Sequence, residues 1–236
     1  MKGPVNRLQI HGSFFGQPRT AQQDKMNKTA PLSRRQERTE LTRARLIQSA
    51  EKVFARDGFE AAKLEEIAAD AGYTRGAVYA NFQSKENLFL ALLEREISTR
   101  IAALDREMDK VREPEAKLKA MGDFFLNKTI DRRWSLLSLE FKLFAVRHPE
   151  VKRRLAAMHR RFVEPRVGIL EEVMSALGRE LPASAYAMGV SMAALGNSLT
   201  LEHMLDPSLM DEKDVRPIMA NFFDSLTSAP RKKQTK

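Results

Sequence analysis

From about Ser33 onward, apolar residues recur at intervals of three and four, and no run alternates with period two. Leu46, Ile47, Ala50, Val53 and Phe54 form a stripe that ends at Asp57-Gly58, where glycine supplies the stop. Leu64, Ile67, Ala68 and Ala71 form a second, shorter stripe ending at Gly72. A short segment with few large apolar residues follows. From Lys85, capped by Ser84, a long helix is predicted to about Arg112, with Leu88, Leu92, Leu93, Ile97, Ile101 and Leu104 inward. Further helices are predicted over 115–130, 133–147, 149–177, 182–205 and about 211–226, with a kink or break expected at Pro165 in the third of these. The pattern is all-α, about nine helices, without an internal repeat.

The short segment, "AGYTRGAVYANFQSKENLF", decides the function class. Two helices joined by Ala71-Gly72-Tyr73, the second starting at Thr74, have the proportions of a helix-turn-helix. Gly72 permits the left-handed geometry of a sharp turn, and Thr74 is placed to cap the second helix. Val78 and Phe82, four residues apart, are expected to pack on Phe54, Leu64 and Ile67. That leaves Thr74, Arg75, Gly76, Ala77, Tyr79 and Ala80 on the other face. Between Tyr73 and Lys85 there is no acid, in a chain that is 30% charged. Small residues and missing acids are costs in a core helix and advantages in one inserted into a DNA groove.

Charge sharpens this picture. Residues 1–45 hold ten Lys/Arg against three Asp/Glu, and the tail "PRKKQTK" adds four cations and no acid. Of the net +9, these ends carry +7 and +4, so 46–229 sums to −2. Basic ends suit nucleic acid or an anionic surface. The organisation expected is a disordered basic arm over 1–32, a three-helix DNA-binding head over 33–84, a helical domain over 85–228 and a basic tail over 229–236. The chain has no cysteine, which removes disulfides and thiolate metal sites. Its N-terminus has no apolar run long enough for a signal peptide. Ala183 to Leu201 carries no charge, yet its serines, Asn197 and two glycines fit a helix buried in protein better than a membrane span. A cytoplasmic protein without a membrane partner, associated with the nucleoid when on DNA, is expected.

"GFEAAKLEEIAADAGYTRGAVYANFQSKENLF" resembles the DNA-binding region of the tetracycline-repressor (TetR) family of bacterial transcription regulators. The glycine, the tyrosine, "NF" and "SKE" fall at the family's spacing. "ALGNSLTLEHMLDP" is similar to a pattern many members show in their penultimate helix. The resemblance implies that Thr74, Arg75 and Gly76 enter the major groove, Arg75 reading a base, with Tyr79 touching a phosphate or a base edge. Lys85 would clamp the DNA backbone. Members often carry Ser or Thr before the first helix of the motif; this chain has Ala62-Lys63, and Lys63 can replace a phosphate contact but not a side-chain cap. The resemblance further implies a homodimer on a double-stranded operator, released as a repressor by a small apolar effector. The rival reading is a DNA-architectural protein without operator preference.

Candidates for lining the effector pocket are Phe125, Trp134, Phe141, Phe144, Met158 and Phe162. Ala187, Ser191, Ala194 and Ser198, spaced +4, +3, +4, make a small-residue stripe on one helix face; with Phe222 and Phe223 it is a candidate dimer seam. His148, His159 and His203 show no metal-ligand spacing, and no cofactor motif appears. No acid and base pair at catalytic spacing, so an enzyme is not expected.

Overall fold

The computed structural model describes residues 33–129, 131–162 and 164–228. Among them the architecture is all-α, as the periodicity predicts. Ten helices follow in order: α1 (Arg34–Ala61), α2 (Leu64–Asp70), α3 (Arg75–Phe82), α4 (Lys85–Asp109), α5 (Pro114–Thr129), α6 (Arg132–Arg147), α7 (Pro149–Phe162), α8 (Glu164–Ala176), α9 (Ala185–Leu205) and α10 (Glu212–Thr227). The basic arm 1–32 and the tail from 229 lie outside the described residues.

The count exceeds nine because the apolar pattern over 149–177 is two helices. Pro165 falls in the first turn of α8, where a missing backbone N–H leaves no helical bond unmade. Local capping sets the other boundaries. Ser33 and Gln36 exchange side-chain–backbone hydrogen bonds in a capping box at the start of α1. Ser84 accepts from the Asn87 N–H, as expected, and Ser184 accepts from Ala187, starting α9 three residues later than periodicity suggests. Gly58 breaks the helical course of α1 with φ 77° and ψ 170°.

Residues up to Glu40 and residues from Leu41 onward cluster as separate compact units. Within the second unit two apolar clusters form. The first joins α1, α2 and α3 to α4, and continues through Leu137, Phe141 and Ala145 of α6 to Val151 and Met158 of α7. Phenylalanine rings run through it, Phe54 to Phe89 at 4.7 Å and Phe89 to Phe141 at 4.9 Å between centroids. The second cluster packs the end of α4 with α5, α8, α9 and α10.

α9 packs on α5, α6, α8 and α10. One side of it is buried through Met188, Met192, Asn197 and Thr200, while Val190, Ser191, Ala194 and Ser198 face solvent. The expected buried helix is therefore buried on one side only. Its attachment to α6 is polar: the Ser135 hydroxyl donates to Asn197 Oδ1, and Asn197 Nδ2 donates to the Ser138 hydroxyl, each at 3.1 Å. No helix among the described residues is long and apolar enough to cross a membrane.

Candidate nucleic-acid interface and effector cavity

α2 ends in a Schellman turn. The Tyr73 N–H bonds the Ala68 carbonyl, the Gly72 N–H bonds Ala69, and Gly72 sits at φ 76°, the left-handed geometry expected of it. α3 then starts at Arg75 with Thr74 extended at its N-cap position. The Thr74 hydroxyl makes no capping hydrogen bond, contrary to expectation, and is exposed, with no helical duty. Val78 and Phe82 are buried in the first cluster; Thr74, Arg75, Gly76, Tyr79 and Ala80 are exposed. Lys63 occupies the N-cap position of α2 and caps nothing with its side chain.

The face of α3 is not free of acid, because α2 lends one. Arg75 pairs with Glu65 at 2.6 Å and donates to the Tyr79 hydroxyl at 3.0 Å. The Tyr79 hydroxyl, and after it the Glu65 carboxylate, hold this guanidinium more firmly protonated than usual. Lys85 differs more from expectation. Its ammonium donates to the carbonyls of Glu60 at 2.9 Å and Ala62 at 3.3 Å, beneath the Phe59 ring. It closes the end of α1, so only one of its three donors remains for a phosphate. Arg43 does the same for α3, donating to the Asn81 carbonyl while lying over the Phe82 ring.

Two carboxylates that sequence reading missed fasten α1 to α6. Glu51 receives hydrogen bonds or ion pairs from Arg95 of α4 and from Arg133 of α6, the latter at 2.8 Å, with its side chain only 11% exposed. Glu140 of α6 accepts from the Phe59 N–H at 2.7 Å, and its carboxylate fills the space a Cβ on Gly58 would need. The signal was present: Ile47, Ala50, Glu51 and Phe54 share one helical face, so Glu51 lies on an apolar stripe. A carboxylate there requires a buried partner.

The apolar cavity lies in the second cluster rather than among the expected residues. It measures about 90 Å³ and is walled by Leu104 of α4, Met121 and Phe125 of α5, Met188 and Met192 of α9, and Phe223 of α10. Of the five candidates whose side chains are described, Phe125 lines it, Met158 lines a cleft beside the α3–α4 turn and Phe144 one beside Gly58. Trp134 and Phe141 pack in or against the first cluster, where the phenylalanines of α6 meet those of α1 and α4. The side chain of Phe162 lies outside the described residues.

Residues 46–92, which span the end of α1 through most of the first half of α4, match the sequence profile of bacterial regulatory proteins, tetR family. That segment is of the tetR family. It is 33% identical over 104 residues to the HTH-type transcriptional regulator TtgR of Pseudomonas putida, covering 43% of this chain and 50% of that protein. It is 29% identical over 85 residues to the HTH-type transcriptional activator FasR of Mycolicibacterium smegmatis, covering 36% of this chain and 39% of that one. The chain thus spans half or less of these two relatives. Among solved structures, FadR of Bacillus subtilis in complex with stearoyl-CoA superposes with a TM-score of 0.61 at 16% identity, over 78% of this chain and 97% of that one. This likeness shows that the tetR-type fold continues beyond residue 92.

The small-residue stripe of α9 is accessible: Ser191, Ala194 and Ser198 are exposed and Ala187 is half-buried. Exposed Tyr186, Val190 and Leu205 extend the same helix, and Ile218 adds to it from α10. Phe222 is half-buried. Phe223 is buried and lines the cavity, because Val215, Met219, Phe223 and Thr227 form the inward stripe of α10. It is a core residue of this chain and does not belong to an exposed face.

Proposed function

We propose that this chain is a homodimeric, operator-specific transcriptional repressor that a small apolar effector releases from DNA. The observation that carries the reading is the divided surface of α3, where Val78 and Phe82 are buried and Thr74, Arg75, Gly76 and Tyr79 stand exposed. It falls within the segment that matches the family profile. Arg75 reads a guanine edge, released from Glu65 as it enters the major groove, and the free Thr74 hydroxyl makes a phosphate or base contact. Tyr79 and Lys63 grip phosphates, with Lys85 contributing its one remaining donor. The division of labour is an arm over 1–32, a DNA-binding head over 33–84, an effector and dimerisation domain over 85–228 and a basic tail, acting in the cytoplasm and on the nucleoid.

The exposed, uncharged face of α9 together with α10 is the dimer seam in this reading. Two heads then address successive major grooves of a near-palindromic site. The cavity supports the effector part of the proposal. Its volume is well below the roughly 300–1,000 Å³ usual for ligand sites, so a ligand must spread its walls. One wall is Leu104 of α4, the helix whose start follows the head directly, so spreading the cavity moves the heads. Operator and effector affinities then oppose each other by the same factor.

Selection of bound genomic fragments, followed by gel shifts of the selected and a random duplex across salt, tests the proposal. A preferred palindromic site is expected. Equal binding to both duplexes at every salt concentration would establish the architectural alternative instead.

A further inference from the structure

A larger cleft, of about 480 Å³, opens where the α3–α4 turn meets α1 and α7. Three guanidinium groups stand around it, Arg43, Arg154 and Arg161, against one carboxylate, Glu94. Glu94 is paired with Arg161 at 3.0 Å. The acceptors of the other two are uncharged: Arg43 donates to the Asn81 carbonyl, and Arg154 donates to Asn87 Oδ1. Two cationic groups therefore converge with no carboxylate partner among the described residues. Beneath them the floor is apolar, with Leu90 and Met158 both buried. The volume lies in the range of small-molecule sites.

Gln83 adds an independent observation. It is the one non-glycine residue with positive φ among the described residues, at 67°, and it lines this cleft. Glycine adopts that conformation without strain, so a side chain retained there has to be accounted for. Gln83 and Arg43 line the cleft together. A recessed apolar floor under a cationic rim fits a small molecule with two ends better than the uniform backbone of DNA.

We propose that this cleft binds a small amphiphilic anion, a carboxylate or phosphate monoester attached to an apolar group. Arg43, Arg154 and the Gln83 amide hold the anionic end, and Leu90 and Met158 receive the apolar end. The site is separate from the uncharged cavity of the second cluster. Because Arg43 and Gln83 belong to the head and Arg154 to α7, an occupant ties the two together and forms a second input to the same regulator.

The test is calorimetric titration of the full chain with octyl phosphate, octanoate and octanol. The first two arms distinguish phosphate from carboxylate, and the third lacks the charge. At least one anion should bind more tightly than octanol, and Arg154→Gln should weaken that anion about tenfold or more while leaving octanol unchanged. Arg154 is exposed and outside the core, so the variant should keep the wild-type Tm. If it does not, Ala157→Asp, which sets a carboxylate on the exposed lip of the cleft, should weaken the anion in the same way. Anions that bind no better than octanol, or whose affinity survives both substitutions, overturn the proposal. No DNA enters these measurements, so their outcome is independent of operator binding.

Discussion

Glu51→Gln tests the fastening of α1 to α4 and α6, because it preserves volume and removes the charge that Arg95 and Arg133 both address. A charge-assisted hydrogen bond contributes about 1.5–3 kcal/mol, and breaking a fully buried ion pair costs about 3–5 kcal/mol. The arginines here are less enclosed than the acid: their side chains are 32% and 54% exposed, and Arg95 keeps Glu96 at 3.1 Å. No cation is stranded when the carboxylate goes, so the expected loss is about 1–2 kcal/mol. At this chain length that corresponds to a fall in Tm of about 2–8 °C. Urea melts of Glu51→Gln, Arg133→Gln and the double variant should give a coupling of about 0.5–1.5 kcal/mol that survives moderate salt, since a mostly buried acid is weakly screened. A coupling below about 0.3 kcal/mol, the level at which independent sites add, would mean that the pair holds nothing and that the carboxylate on the apolar stripe has been misread.

Arg75→Ala should relax one base position in each half-site by about 1–3 kcal/mol in competition gel shifts, whereas Lys63→Ala should weaken all sequences alike and lower the salt slope by about one. Gln83→Gly should raise the urea midpoint, worth about 1 kcal/mol, by relieving the left-handed backbone, and a lowered midpoint would refute the strain. In Gly122→Ala the new Cβ would lie 2.9 Å from Phe223 Cε1, so the ring must move towards the cavity that it lines. The variant should lose about 1–3 kcal/mol and take up an apolar fluorescent probe less well. Burial, and secondarily the charge of Lys142, lowers the pKa of His159 below its ordinary value. The folded protein therefore favours the neutral ring. That contribution is complete above the unfolded pKa of about 6.5 and is lost as pH falls through the folded value. Compared with His159→Gln, the wild type should lose stability between neutral pH and about pH 5, and parallel pH profiles would refute this.

The head was legible because its determinants are local. Gly72 turns the chain, Ser84 caps α4, and the four-residue spacing of Val78 and Phe82 names the buried face of α3, all within the reach of a few peptide units. The apolar cavity was not. Helical period shows that Phe141 and Phe144 face inward, but not that the rings waiting there are Phe89 of α4 and Phe59 of α1. Which aromatic lines a space and which fills one depends on partners many residues away. Lys85 illustrates the same limit for charge. The resemblance implies an outward clamp, while the carbonyls left open at the end of α1 draw the ammonium inward. Phe223, a candidate for the seam, belongs to the interior by the +4 stripe through Val215 and Met219, a spacing already present in the sequence.

The clasp of Asn197 between Ser135 and Ser138 constrains how this sequence can drift. All three side chains are buried, and each hydroxyl or amide has its partner inside the clasp. Changing Asn197 alone to leucine strands the Ser135 hydroxyl and leaves Ser138 only its bond to the Ser135 carbonyl, and changing either serine alone strands one end of the amide. The viable routes replace the set together with apolar residues of matching volume, or leave it untouched. Among tetR-family chains these three positions should therefore change in concert, polar in all or apolar in all, even where the surrounding helices diverge freely.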